Sequence, residues 1–140
     1  MIEFIIPHTD IWIAAFDRRS VQSTVVVRFA DYVRQRSILL TPWVRTELLA
    51  RTRDGRHFAR LQAVLDGFAE TRIDRAIQIQ AARHISLNRD HGATPPTLVQ
   101  ALTWAVMERC QARLWTRDRH WLAFAQDRLP CVDDSTAGGK

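Results

Sequence analysis

Three polar residues follow short apolar or extended runs, at places where the chain would leave a buried strand. Asp118 comes just after the extended run 113–116, and His8 and Asp10 come just after the apolar run 2–6. Open α/β sheets bind their ligands at the carboxyl ends of their strands. Side chains that can carry charge at these points are therefore candidates for a binding or catalytic site.

The elements around these residues alternate between strand and helix. Short apolar runs predict buried strands, and apolar residues at helical spacing predict amphipathic helices. The predicted strands are 2–6, 38–40, 71–73 as a short edge strand, 113–116 and 129–132; the predicted helices are 11–16, 20–36, 41–51, 58–67, 74–85 and 100–110. This order predicts an α/β layered fold with a parallel sheet.

Helix start signals support several of these boundaries. Thr41 before Pro42 is typical of a helix cap followed by a first-turn proline, and Asp74 is placed to cap the helix that follows it. In the helix after Thr41, Glu47 lies one turn beyond Trp43 and Val44, which puts its carboxylate at the margin of an apolar stripe. The chain would continue through a loop at 88–96 before the helix at 100–110.

Three stretches together resemble the PIN domain, the fold of the VapC-type ribonuclease toxins. The family has a strand followed by Asp-Thr-Ser/Asn and an apolar helix, and IIPHTDIWIAAF has this layout with His8 at the acid's position. Glu47-Leu48-Leu49 matches a second acidic position. In a third pattern an acid opens a small-residue helix eighteen residues before the acid of a Thr-x-Asp motif. Thr116-Arg117-Asp118 matches the motif, and Gln100 stands at the place of the first acid.

The resemblance implies a three-layer α/β/α sandwich with a central, mostly parallel sheet of about 4–5 strands. It also implies an endoribonuclease site in which about four carboxylates hold Mg²⁺ or Mn²⁺, because a hard cation takes oxygen ligands and activates water beside the scissile phosphate. The family's positions fall on His8, Glu47, Gln100 and Asp118, so two of the four acids are replaced. A histidine supplies no negative charge and an amide adds none.

Two ways of replacing the missing charge follow from the sequence. Asp10 lies two residues after His8 and could turn its carboxylate toward the metal, or it could simply cap the helix at 11–16. Alternatively, His8 and His120 could join Glu47 and Asp118 in a nitrogen-rich site for a transition metal ion. Glu47 and Asp118 could instead form ion pairs with arginines near them, such as Arg117 or Arg119.

The charge of the chain is compatible with nucleic acid. The formal net charge is +5, the sequence pI is near 10.5, and every basic residue except Lys140 is arginine. Arginine grips phosphate with two hydrogen bonds, although a GC-rich genome would also enrich arginine without any ligand. The predicted RNA contacts lie on the basic turn near residue 51 and beside Asp118: Arg51, Arg53, Arg56, Arg117 and Arg119.

With 140 residues, the chain predicts one domain, 1–133, followed by a disordered tail at 134–140. No apolar run is long enough for a membrane span, and the N-terminus lacks the basic residues of a signal peptide, so we expect a cytoplasmic protein.

Cys110 and Cys131 are predicted to be thiols without a chemical role. The five tryptophans are predicted to pack in the core, and His57, His84 and His91 to be solvated.

Two functional hypotheses remain open at this point. In the first, a PIN-fold protein with weak or no catalysis acts by binding RNA or a small antitoxin-like protein. In the second, the chain is an active Mg²⁺- or Mn²⁺-dependent endoribonuclease of a toxin–antitoxin system that uses Asp10, Glu47 and Asp118. The resemblance also implies a homodimer, with the apolar helices of the middle segment as the pairing surface.

Overall fold

The chain was analysed as a computed structural model that describes residues 2–17, 19, 23–89 and 94–134. Four short strands alternate with seven helices within these ranges. The strands are β1 (Ile5–Pro7), β2 (Leu39–Leu40), β3 (Ala69–Glu70) and β4 (Arg113–Trp115). The helices are α1 (Thr9–Ala15), α2 (Thr24–Arg34), α3 (Pro42–Ala50), α4 (Gly55–Leu65), α5 (Arg75–Arg89), α6 (Leu98–Cys110) and α7 (Arg119–Ala125).

The strands pair in parallel, as the sequence predicts. β1 pairs with β4, β2 pairs with β3, and a single parallel bridge between Ile5 and Ile38 joins the two ladders. The predicted strand at 129–132 is reduced to one parallel bridge between Leu114 and Cys131. The predicted edge strand at 71–73 is wrong, because the strand that pairs with β2 is β3. The α/β class is confirmed, whereas a single sheet of 4–5 strands is not shown.

Neighbouring residues of β1, β2 and β4 enter two different hydrophobic cores. Ile5, Leu40 and Trp115 pack with α1 to α4, while Ile6, Leu39 and Leu114 pack with α5 to α7. Successive side chains of a strand point to opposite faces of a sheet, so one buried strand can serve two cores. The fold therefore has helices on both faces of a thin parallel layer.

Several helix boundaries differ from the predicted ones, and side-chain caps set two of them. α1 begins at Thr9 and not at residue 11. α2 begins at Thr24 because Ser23 accepts a hydrogen bond from the Val26 amide, and α4 begins at Gly55 because Asp54 accepts one from the His57 amide. Asp74 caps α5 as predicted, accepting from the Ile77 amide at 3.0 Å.

Thr41 does not cap α3 with its side chain. It occupies the N-cap position before Pro42, but its hydroxyl is buried without a hydrogen-bond partner among the described residues. The proline at the first helical position lacks an N–H, so one fewer amide at this helix start needs a partner.

The packing of α5 against α6 corrects the prediction that His84 is solvated. His84 is buried, its ring stacks on Trp104 at 3.7 Å, and its Nε2 lies 2.6 Å from the Glu108 carboxylate. Arg109 joins the same two helices through a pair of hydrogen bonds to Asp74 and holds the pKa of that carboxyl at about 2. His57 is half-buried, and His91 lies outside the described residues.

The tryptophans pack in the cores, as predicted: Trp12, Trp115 and Trp121 are buried and Trp43 and Trp104 are partly buried. Cys110 and Cys131 are free thiols of intermediate exposure, and burial raises the pKa of each.

Among the described helices, none has the length and apolar composition to cross a membrane. The division into a domain at 1–133 and a tail at 134–140 stays a prediction, and residues 135–140 lie outside the described part.

Candidate functional site

A cleft of about 720 Å³ opens at the carboxyl ends of β1 and β4. The parallel pairing of these two strands brings the segment after Pro7 beside the segment after Trp115. The cleft is lined by His8, Glu47, Thr94, Pro95, Thr97, Val99, Gln100, Asp118, His120, Trp121, Ala123, Phe124 and Arg128. All four positions that correspond to the family's acids, His8, Glu47, Gln100 and Asp118, therefore face one cavity.

His8 is held between β4 and α7. Its backbone amide donates to the Trp115 carbonyl at 2.8 Å, and its ring centroid lies 4.4 Å from that of Trp121. Burial lowers the pKa of His8 below the ordinary value of 6.5, while three nearby carboxylates oppose that shift: Asp10, Glu47 and Asp118. The neutral imidazole therefore prevails at neutral pH, so this position contributes no charge to the cleft.

Glu47 reaches the cleft from the exposed side of α3. Its carboxylate accepts a hydrogen bond from the Thr9 hydroxyl at 2.5 Å, which ties α3 to the first turn of α1. No ion pair between Glu47 and an arginine occurs within the described residues. The alternative of an arginine ion pair therefore does not explain Glu47, whose partner is Thr9.

Asp10 lies in the first turn of α1 and does not cap that helix. The N-cap residue is His8, and it makes no side-chain hydrogen bond to the helix. The Asp10 carboxylate instead accepts from the Thr116 hydroxyl at 3.2 Å and from the Arg117 amide at 2.7 Å. Asp10 thus links the ends of β1 and β4, and it is not among the residues that line the cleft.

Asp118 caps α7. Its side chain accepts from the amides of His120 and Trp121, and its own amide donates to the Thr116 hydroxyl at 3.0 Å. It has no ion pair with Arg117 or Arg119 in the part of the chain that is described. The Thr-x-Asp sequence therefore acts as a local unit in which Thr116 fixes the backbone and Asp118 starts the next helix.

Gln100 belongs to a capping box at the start of α6. Its side-chain oxygen accepts from the Thr97 amide at 3.0 Å, and the Thr97 hydroxyl accepts from the Gln100 amide at 3.2 Å. The sequence carries a signal for this arrangement, a threonine followed three residues later by glutamine. The side-chain amide group of Gln100 therefore already has a hydrogen-bond partner, the backbone N–H of Thr97.

We expect the capping box to be visible in the stability of Gln100 variants. Gln100→Ala removes one of the two reciprocal hydrogen bonds and should lower the free energy of unfolding by about 1 kcal/mol, whereas Gln100→Glu can preserve the box and should change it by less than about 0.5 kcal/mol. Urea denaturation of the three proteins measures both effects. Equal losses in the two variants would show that the box does not stabilise α6.

The arginines predicted to contact RNA do not line the cleft. Arg53 borders a separate hollow beside Phe16 and Arg60, and Arg117 pairs with Asp134. Arg51, Arg56 and Arg119 are exposed. The cleft's arginine is Arg128, whose guanidinium lies 5.5 Å from the centre of the Phe124 ring and which the sequence analysis did not select.

The side chains do not fit a magnesium ion as they are arranged. Among the described residues, no three His, Cys, Asp or Glu side chains are placed to hold a metal ion together. Each candidate oxygen donor already accepts hydrogen bonds within the protein: Glu47 from Thr9, Asp10 from Thr116 and Arg117, Asp118 from two amides, and Gln100 from Thr97. His120 lines the cleft, yet it does not complete a site with His8.

Two solved structures have a fold similar to that of this chain. One solved structure, described as FitAB bound to an IR36 DNA fragment, matches 92% of this chain and 94% of its own with a TM-score of 0.67 at 15% identity. A second, FitAcB from Neisseria gonorrhoeae, matches 92% of this chain and 97% of its own with a TM-score of 0.66 at 17% identity. No protein-family profile matches the sequence, and a search of curated proteins found no match.

The chain has a PIN-domain fold. This confirms the resemblance that the three sequence stretches carry. The PIN fold also explains why residues so far apart in the sequence meet, since each of them follows a parallel strand or lies on a helix that starts beside one. Thr9, Arg128 and Asp134 are the contacts of this region that the sequence analysis did not single out.

Proposed function

We propose that this protein is a VapC-like member of the toxin–antitoxin class whose nuclease activity is weak or absent, and that it acts by binding RNA or a small antitoxin-like protein. The observation that carries the proposal is the composition of the cleft. Two carboxylates, Glu47 and Asp118, face a cavity in which the other two family positions are His8 and Gln100. The FitAB and FitAcB structures support a toxin–antitoxin protein with an antitoxin partner.

The charge of the cleft favours binding over hydrolysis. Mg²⁺ or Mn²⁺ would have to be held by Glu47 and Asp118, with Asp10 as the third carboxylate in reach of the same strand ends. A hard divalent cation needs several oxygen ligands and enough negative charge to offset its dehydration. Neutral His8 adds none, and the Gln100 oxygen is directed to the Thr97 amide.

The alternative is an active endoribonuclease that uses Asp10, Glu47 and Asp118 with Mg²⁺ or Mn²⁺. One observation favours it: Asp10 is bonded to the two residues that precede Asp118, so its carboxylate is close to the cleft. The alternative requires Asp10 to give up the Thr116 hydroxyl and the Arg117 amide. A transition metal ion bound by His8 and His120 with the two acids would also require the side chains to move.

The proposed partners fit the exposed surface. Arg51 and Arg53 on the turn after α3, Arg56 in the first turn of α4 and Arg119 beside Asp118 are exposed and can contact RNA phosphates. Arg117 would first have to be released from Asp134. Exposed apolar side chains occur on α4, Phe58 and Val64, and on α5, Ile79 and Leu87, and either helix could pair two copies of the chain. Each of these roles remains part of the proposal.

A binding experiment without metal tests the function directly. We expect labelled single-stranded RNA to bind with an affinity that EDTA leaves unchanged, and that falls steeply with salt because the contacts are made to phosphates. Fluorescence anisotropy in EDTA and in Mg²⁺ measures the affinity, and gel analysis of the same RNA detects cleavage. Binding that appears only with Mg²⁺, together with cleavage, would favour the active enzyme.

The antitoxin-like partner requires a separate experiment. The product of a small open reading frame next to the gene, expressed together with this protein, should form a complex of defined stoichiometry. The variant Glu47→Gln plus Asp118→Asn should weaken that complex if the partner enters the cleft. Size-exclusion chromatography with light scattering reports the stoichiometry and the loss.

A further inference from the structure

The last described segment of the chain ends next to Arg117, at the same edge of the sheet as Asp10 and Asp118. Leu114 pairs with Cys131 in a parallel bridge, and the Val132 amide donates to the Leu114 carbonyl at 2.8 Å. A parallel segment runs in the direction of its neighbour. Asp133 and Asp134 therefore follow Cys131 to the place where β4 gives way to Thr116, Arg117 and Asp118.

Two arginines hold the Asp134 carboxylate there, one on each oxygen. Arg28 of α2 contacts Oδ1 at 3.3 Å, and its Nη1 also donates to the Asp133 carbonyl at 2.9 Å. The Arg117 Nε contacts Oδ2, and the Arg117 Nη2 lies 3.5 Å from the Thr24 hydroxyl. Only 11% of the Asp134 side chain is exposed, although both guanidinium groups are partly open to solvent.

This arrangement has the donor geometry of a phosphate site. A phosphodiester, like a carboxylate, presents two charged oxygens, and guanidinium groups bind both with charge-assisted hydrogen bonds. The nearby charges include those of Arg28, Arg117, Asp133, Asp134 and Asp10; the Asp133 carbonyl accepts from Arg28, and Asp10 accepts from the Arg117 amide. With Asp134 in place, the carboxylate offsets one of the two arginine charges, whereas its departure would leave both guanidinium groups for an external anion.

We infer that Arg28 and Arg117 form a binding site for one backbone phosphate of RNA, and that Asp134 occupies this site in the free protein as an intramolecular competitor. Arg117 immediately precedes Asp118, which lines the cleft, so an RNA strand that reaches Asp118 would have this phosphate site beside it. Asp134 is tethered to the sheet by the preceding residues, so it competes at a high effective concentration. The inference rests on the proposed RNA binding and adds its regulation.

The first test compares Asp134→Asn with Asp66→Asn in the full-length protein. Asp66, at the C-terminal end of α4, also forms an ion pair with an arginine, Arg45, so this control removes the same charge from an ion pair outside the inferred site. In EDTA, Asp134→Asn should bind labelled single-stranded RNA about tenfold more tightly than the control. The logarithm of its affinity should fall more steeply with salt, by about 0.7 for each phosphate gained.

Two double variants test whether the gain in RNA affinity depends on Arg28 and Arg117. Adding Arg28→Ala or Arg117→Ala to Asp134→Asn should return both the affinity and the salt dependence to the values of the control. A difference of less than about twofold between Asp134→Asn and Asp66→Asn would overturn the inference. So would a much lower thermal midpoint for Asp134→Asn than for the control, because Asp134 would then be a structural contact.

Sodium pyrophosphate separates this inference from the proposed function. It should raise the thermal midpoint of Asp134→Asn by more than that of Asp66→Asn, since the vacated arginines can bind a free anion. If pyrophosphate stabilises Asp134→Asn while neither variant binds RNA, the anion site stands and the proposed RNA binding fails. If RNA binds to both variants alike and pyrophosphate has no selective effect, the proposed function stands and the Asp134 competitor is refuted.

Discussion

Restoring the two missing acids should convert the cleft into a metal site. We expect His8→Asp plus Gln100→Asp to bind Mn²⁺ measurably and to cleave RNA, whereas the native protein should be close to background. Single electrostatic contacts in other active sites are worth about 10² to 10³ in rate, so two independent contacts would give about 10⁴ to 10⁶. Isothermal titration with Mn²⁺ and single-turnover RNA cleavage measure the two effects.

The controls follow from what each replaced residue does in the structure. His8→Asn plus Gln100→Asn has nearly the same size and no added charge, so it should show neither effect. Aspartate at position 100 is shorter than glutamine and weakens the capping box with Thr97, so His8→Asp plus Gln100→Glu tests whether the cap limits the gain. Robust cleavage by the native protein that Asp118→Asn abolishes would contradict the binding function and establish the active enzyme.

Trp12 holds α1 against β1, and its removal should cause a large loss of stability. Trp12 is completely buried, and its indole N–H donates to the Pro7 carbonyl at 3.0 Å. Its ring contacts Phe29 and Phe68 edge to face, with centroids 5.1 Å and 4.8 Å away. Because Pro7 immediately precedes His8, this contact also sets where the first residues of the cleft lie.

We expect Trp12→Ala to lower the free energy of unfolding by about 3–5 kcal/mol, the usual loss for a large aromatic removed from a core. Trp12→Phe keeps most of the apolar contact and loses the hydrogen bond to Pro7, so its loss should be clearly smaller. Urea denaturation monitored by far-ultraviolet circular dichroism measures both. A loss below about 1 kcal/mol for Trp12→Ala would show that the core around α1 re-forms without the indole.

Local sequence signals predicted the sheet and its helices because burial leaves a periodic pattern. The apolar pairs Ile5-Ile6, Leu39-Leu40 and Leu114-Trp115 indicate strands covered on both faces, and each pair does supply both cores. Boundaries were less accurate where a side-chain cap decided them, as with Ser23 and Asp54. The capping box of Thr97 and Gln100 could also have been predicted from the sequence, because its two residues are only three positions apart.

The partners of the site residues were not predictable in the same way. The interpretation of Asp10 as a helix cap and of His84 as solvated used only near neighbours in the sequence, whereas Asp10 contacts Arg117 and His84 contacts Glu108. The acid at position 134 was assigned to a disordered tail that follows the predicted strand at 129–132. Its partners, Arg28 and Arg117, lie on α2 and after β4.

The sequence by itself predicted the PIN-like order of elements and the residues that the resemblance matches to the family's acids, which here are two acids, a histidine and a glutamine. Only the tertiary structure decided which of those side chains face one cavity and which hydrogen bonds already engage them. The physical reason is that hydrophobic periodicity records burial, which is a property of each residue and its near neighbours. Contacts between distant segments depend instead on the pairing and register of strands, and two or three residues of strand carry little information about either.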